Sequence, residues 1–174
     1  ANERILTRIS DAELKRRWTA VRVLMRERRI DVLIMQATND WLGGYVKWFT
    51  DLPANNGYPR TVIFPVDDPM TVIEMGPMGK TRTLNNDELH RGVRELLFTP
   101  SFLSFNYTHD YDGTLAVDEI KRRGYKTIGL VGKGALPHAF VACLEGQLAD
   151  ATFVDASDLV DEIKAVKSSE EIAL

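Results

Sequence analysis

The hexapeptide Gly76-Pro77-Met78-Gly79-Lys80-Thr81 ends in the Gly-Lys-Thr that closes a phosphate-binding loop. It fails that chemistry on two counts. The loop needs a glycine five positions before the second one, where Glu74 stands. It also needs a helix directly afterwards to aim its N-terminal dipole at the phosphate, and Thr81-Arg82-Thr83 does not begin one. Gly129, Gly132 and Gly134 likewise miss the G-x-G-x-x-G spacing and read as a strand-to-helix turn. His90, His109 and His138 are scattered singly and read as surface or structural histidines. Cys143 falls beside the apolar stripe of its helix and reads as a small core residue. As the one cysteine of the sequence it excludes an internal disulfide and fits a reducing, cytoplasmic setting. There the sequon Asn106-Tyr107-Thr108 carries no meaning.

The elements that would position any site follow from periodicity. Ser10 and Glu13 form a capping box, and Leu14, Trp18, Val21 and Met25 continue as one apolar stripe of a helix. Its remaining faces carry arginine and lysine without interleaved aromatics, the pattern of a solvated face rather than a nucleic-acid surface. Asp31 to Met35 is a short apolar run, expected to be a strand covered on both sides. A weak short helix through Trp41, Leu42 and Tyr45 is expected next, and then, from Val46 to Arg60, an irregular loop rich in large rings and turn residues. The runs 61–64 and 71–75 read as an antiparallel hairpin with a turn longer than two residues, Pro65 closing the first strand. Gly76 to Glu88 reads as loop, and Val93 to Phe98 as a strand. Three further segments alternate: a helix from Asp112 or Thr114 to the cap Gly124, a strand at 126–131, and a helix opening at Pro137. A last strand at 152–154 and a helix capped by Ser157 follow. Helices alternating with strands argue for an α/β layer architecture with a mixed sheet.

A chain of 174 residues can bury roughly 70% of its unfolded surface in one core. Its 44% hydrophobic and 27% charged content describes a globular chain without low-complexity segments. A net charge of -3 offers no electrostatic reason for a nucleic acid or an acidic membrane as partner. No apolar run approaches the length of a membrane span, and no charged-then-apolar leader opens the chain.

The tail Ala165-Val166-Lys167-Ser168-Ser169-Glu170-Glu171-Ile172-Ala173-Leu174 contains a second capping box, Ser168 with Glu171. A helix of about one turn does not stand alone, so the sequence is expected to end inside an element that continues in a longer protein. The same tail resembles the "R-x-x-K-S-x-x-E-I" joint at which the N-terminal domain of creatinase, prolidase and aminopeptidase P meets its pita-bread catalytic domain, with Lys164 where those proteins usually carry arginine. Ser10, Glu13-Leu14, Arg17, Met25 and Ile30-Asp31 are similar to the opening helix and strand of that domain.

The resemblance implies a creatinase N-terminal, ribonuclease H-like architecture: an α/β fold with a mixed sheet of about six strands and helices on both faces. Residues 1–156 would form that domain, and 157–174 a linker helix and the start of a catalytic domain. It further implies a cytoplasmic, homodimeric metal-dependent hydrolase, an Xaa-Pro dipeptidase or aminopeptidase acting on short proline-containing peptides. This part of such a metallopeptidase would hold no cofactor and no catalytic residue. Two divalent ions, Mn, Co or Zn, would sit in the other domain. That family's ligand set begins with two aspartates eleven positions apart; Asp40 with Asp51 and Asp150 with Asp161 share the spacing but lack the following His and Glu residues. In creatinase-like dimers this domain leans over the partner's active site. Trp48, Asn56, Tyr58 and Arg60 resemble the contributors there, an aromatic wall plus a clamp for a carboxylate, the alternative being that Trp48 and Tyr58 pack the loop onto the sheet. Two other parents are compatible with the resemblance: a creatinase-like amidinohydrolase, and a non-catalytic protein-binding module.

Overall fold

A computed structural model of the chain describes residues 8–37, 44–52, 59–100 and 110–173. Among them a seven-stranded mixed sheet runs between two helical layers. In chain order the elements are α1 (Asp11–Arg28), β1 (Val32–Ala37), α2 (Gly44–Thr50), β2 (Arg60–Pro65), β3 (Met70–Met75), β4 (Thr81–Thr83) and β5 (Val93–Thr99). There follow α3 (Tyr111–Arg123), β6 (Thr127–Leu130), a 3-10 turn (Lys133–Ala135), α4 (His138–Gln147), β7 (Thr152–Asp155), α5 (Ser157–Ala165) and α6 (Ser169–Ala173). The strand order is β4-β5-β3-β2-β1-β6-β7.

The apolar run of β1 is buried on both sides, as a continuous run rather than an alternating one requires. Leu33 and Met35 join Val21 and Met25 of α1, Val46 and Phe49 of α2, and Leu159 and Val160 of α5 in one core. Val32 and Ile34 join Ala116, Val117 and Ile120 of α3 and Phe140, Cys143 and Leu144 of α4 in the other. β1 runs antiparallel to β2, with Leu33 opposite Phe64, and parallel to β6, with Val32 opposite Ile128. That is the mixed sheet expected from the hairpin. β2 and β3 pair antiparallel around Val62 and Val72, and β2 ends at Pro65, which has no N–H to extend the ladder.

Three details differ from the sequence reading. Residues 46–50, expected as irregular loop, belong to the helix that starts at Gly44, because Val46 and Phe49, three apart, share a buried face; the Phe49 ring meets the Phe64 ring edge-on at 4.9 Å. The segment Gly76 to Glu88 contains β4, whose three exposed residues pair antiparallel with β5, so the sheet has one strand more than the six expected. Three residues carry too little alternation to be seen in a sequence. Ser157 is the first residue of α5 rather than its cap: Asp155 Oδ1 accepts from Ser157 N at 2.9 Å, and Ser157 Oγ accepts from Gly132 N at 3.0 Å. Thr81 begins a strand, as expected for a sequence that is no phosphate loop.

One turn fixes how α1 lies on the sheet. Gly92 has φ +71°, and a Cβ there would stand 2.5 Å from the Trp18 ring, so conformation and space both demand glycine. Trp18 Nε1 donates to the Phe49 carbonyl at 2.8 Å, which ties α1 to α2 as well. Gly92→Ala is expected to lower the stability by roughly 2 kcal/mol, the sum of backbone strain and displacement of the ring. Urea unfolding checks it; a midpoint equal to wild type would contradict this account of the turn.

Candidate functional site

The start of α1 and α6 meet in a clasp of charged side chains. Ser10 caps α1, its Oγ accepting from Glu13 N at 3.1 Å. In a closed capping box Glu13 would return to Ser10 N, but here that N–H donates to Glu170 Oε1 at 2.6 Å and Ser10 Oγ donates to Glu170 Oε2 at 2.6 Å. The last helix thus supplies the second half of the first helix's cap. Glu13 is released to accept from Arg16 Nε and Arg17 Nε, each at 2.8 Å.

Arg17 is 3% exposed and spreads its planar fork over three partners. Beyond Glu13, its Nη1 donates to the Trp48 carbonyl at 2.9 Å and its Nη2 to Glu171 Oε1 at 2.8 Å. The guanidinium also lies 5.1 Å from the Trp48 ring centroid, and Trp48 Nε1 donates to Glu171 Oε1 at 3.3 Å. Ser168 and Glu171 close the capping box expected from the tail: Glu171 N donates to Ser168 Oγ at 3.1 Å, and Ser168 N donates to Glu171 Oε2 at 3.0 Å. One carboxylate therefore starts α6 and neutralises a buried arginine on α1. The Arg16 hydrogen bond, with lesser help from Arg17 and Ser168, holds the Glu13 carboxyl at about 2 against the opposing effect of burial. Ser10 lowers the Glu170 carboxyl in the same way.

Three further polar groups lie outside the clasp. Arg91 donates to Asp51 Oδ2 at 2.6 Å and to Asp11 Oδ1 at 2.9 Å, while Asp51 Oδ2 accepts from Ile9 N at 3.1 Å. Asp51, at φ +58°, thus joins the end of α2 to the start of α1. Arg60, buried at the start of β2, donates from Nε to Glu74 Oε2 at 2.9 Å; Glu74 lies 4.0 Å from His90 Nε2, whose ring Nδ1 is 2.9 Å from Asp87 Oδ1. On the α3 side Gln36 donates to Thr61 Oγ1 at 3.0 Å and to Asp112 Oδ2 at 2.5 Å, and burial pushes the Asp112 carboxyl up.

Of the residues singled out in the sequence, Trp48 belongs to the clasp and Arg60 to the Glu74–His90 group; Asn56 and Tyr58 lie outside the described residues. Asp51 is engaged by Arg91 and Lys47, and Asp161 accepts from the Tyr45 hydroxyl at 2.9 Å; Asp40 lies outside the described residues. Among the described residues no three His, Cys, Asp or Glu side chains are grouped to hold a metal ion, and no helix is long and apolar enough to cross a membrane. Sequence reasoning missed Glu170 and Arg91, whose partners are distant in the chain. It saw Arg17 and Glu171 only as parts of separate motifs.

Glu13 gives the clasp a pH signature. Its folded pKa is depressed below the ordinary 4.5, so its contribution is present above that value and is lost as pH falls from 4.5 toward about 2. Glu13→Gln should be less stable than wild type at pH 7, and the gap should narrow through that window. Urea unfolding at pH 7, 4 and 2.5 measures it; a gap independent of pH would contradict the assignment.

No protein-family model and no curated protein matches the sequence. Solved structures match the fold. An aminopeptidase P, an Xaa-Pro aminopeptidase from Streptococcus thermophilus, superposes with a TM-score of 0.58 at 12% identity, over 87% of this chain and 98% of that one. An Xaa-Pro dipeptidase from Bacillus anthracis gives 0.60 at 15% identity over 92% of this chain and 38% of that one. The N-terminal domain of the cytoplasmic peptidase PepQ from Mycobacterium tuberculosis H37Rv gives 0.56 at 10% identity over 84% of this chain and 97% of that one. The chain has the fold of these peptidase structures, and it spans well under half of the longer of them, as the 38% coverage states.

Proposed function

We propose that this chain is the N-terminal, non-catalytic domain of a metal-dependent hydrolase that acts on Xaa-Pro peptides. The observation that carries the reading is the fold likeness, which covers 92% of this chain but only 38% of an Xaa-Pro dipeptidase, and is nearly end to end with the isolated N-terminal domain of PepQ. Fold alone does not carry chemistry. Among the described residues the carboxylates of Glu13, Asp51, Glu74 and Glu171 are each held by an arginine.

In this reading residues 1–156 are the domain and 157–174 the joint. Leu159 and Val160 of α5 are buried in the same core as α1, so the joint helix is anchored, and the clasp then fixes the direction in which α6 leaves. Catalysis would belong to residues following Leu174, where two divalent ions, Mn, Co or Zn, would activate water. The described residues offer no ligand set for such ions, and no step is assigned to this chain. We place the protein in the cytoplasm as a homodimer, in which the segment from Trp48 to Arg60 faces the partner's substrate. The residues assigned to contact that substrate are Trp48, Asn56, Tyr58 and Arg60, of which Trp48 and Arg60 are each buried and hydrogen-bonded within this chain.

The test is direct. The purified 174-residue chain supplied with Mn²⁺ and an Ala-Pro dipeptide should show no turnover, whereas the same chain extended by the reading frame after Leu174 should cleave it. Turnover by the short chain would overturn the non-catalytic assignment. An extended protein that cleaves creatine and not the dipeptide would overturn the peptidase.

A further inference from the structure

α6 is held to the domain differently from the α-helices before it. α1 to α5 each bury apolar side chains, whereas no residue of α6 is buried and Ile172 is 73% exposed. Its ties are polar. Glu170 accepts from the Ser10 N–H and hydroxyl; Glu171 accepts from Arg16, Arg17 and the Trp48 indole; Ser168, just ahead of the helix, adds a hydrogen bond with Glu13. The link back to α5 is Val166 and Lys167, both exposed, with Val166 in extended backbone. α5 stays where it is by burying Leu159 and Val160.

The surface that receives α6 is by contrast built without it. Glu13 and the Trp48 carbonyl fix the Arg17 guanidinium, and the Trp48 ring packs edge-on against Phe49 at 5.1 Å. Detaching α6 therefore uncovers little apolar surface, but it takes the acceptor from Nη2 of Arg17 and from the Ser10 N–H. These are charge-assisted bonds, the strong kind, and an identical segment from another chain restores every one of them. That equivalence is what makes exchange of an element between copies a low-cost route to association.

We propose that Ser10, Arg17 and Trp48 form a docking site for the capped acidic helix start Ser168-Ser169-Glu170-Glu171, and that the α6 of a second copy occupies it when the chain's own α6 leaves. Two copies then exchange this element reciprocally about the hinge at Val166 and Lys167. The chain's own α6, tethered at a roughly millimolar effective concentration, keeps the site closed otherwise. The proposal does not rest on the hydrolase reading and stands or falls apart from it.

The experiment mixes two variants of the 174-residue chain and follows the first by ¹H–¹⁵N NMR. The ¹⁵N-labelled chain carries Glu170→Gln and Glu171→Gln, which keeps the site and disables its own α6. The unlabelled chain carries Arg17→Met, which keeps α6 and removes its own site. The Trp48 indole N–H of the labelled chain should start away from its wild-type position and return to it, saturably, as the second chain is added. Unlabelled wild type, whose α6 is held in place by its own site, should need at least about tenfold more for the same return. The unlabelled double glutamine variant should give none. An acetylated peptide of residues 166–174 is a second donor with no fold to lose. Absence of a saturable return with either donor, or an equal return with the glutamine variant, would overturn the docking site. A return with the peptide while the folded Arg17→Met chain is inert would overturn the exchange between copies. A labelled chain without a dispersed spectrum would show α6 to be part of the core rather than an occupant, and would overturn both.

Discussion

The clasp depends on Arg17 finding acceptors in the interior between α1, α2 and α6. Burying a guanidinium costs several kcal/mol, and the cost is offset only when its donors are satisfied with good geometry. Here Glu13, the Trp48 carbonyl and Glu171 supply that geometry from three separate helices. The arrangement is mutual. Glu171 is needed to start α6, yet it is held in place by Arg17 and by the Trp48 indole. A helix of five residues has no stability of its own, and the clasp is what gives α6 a fixed place.

The sheet makes the clasp possible by fixing where α1 lies. β1 is central and buried on both faces, so α1 and α2 must cover one side through Leu33 and Met35. Gly92 then admits the Trp18 ring, Arg91 reaches Asp11 and Asp51, and the start of α1 is pinned from both directions. A single placement of α1 therefore serves both the core and the clasp.

The sequence made the layers legible because burial imposes periods of 3.6 and 2 on whole segments. The run from Val32 to Met35, the hairpin around Pro65, and the helix capped by Gly124 all carry such local signals and stand as read. β4 and the part of α2 from Val46 on were hidden for opposite reasons. β4 is an exposed edge of three residues with no buried face, and α2 is so short and aromatic that its period resembles packing in a loop. The capping boxes show the limit of local reading most clearly. Ser168 and Glu171 close within four residues and were visible; Ser10 completes its cap with Glu170, a partner 160 residues away that no spacing rule reaches.

A double-mutant cycle measures the clasp without reference to any activity. Arg17→Met and Glu171→Gln would be combined, and all four proteins unfolded in urea at pH 7. A coupling free energy of at least about 1.5 kcal/mol is predicted for a buried, hydrogen-bonded charge pair. Effects additive to within about 0.5 kcal/mol would show that the two residues do not hold each other, and would contradict the clasp.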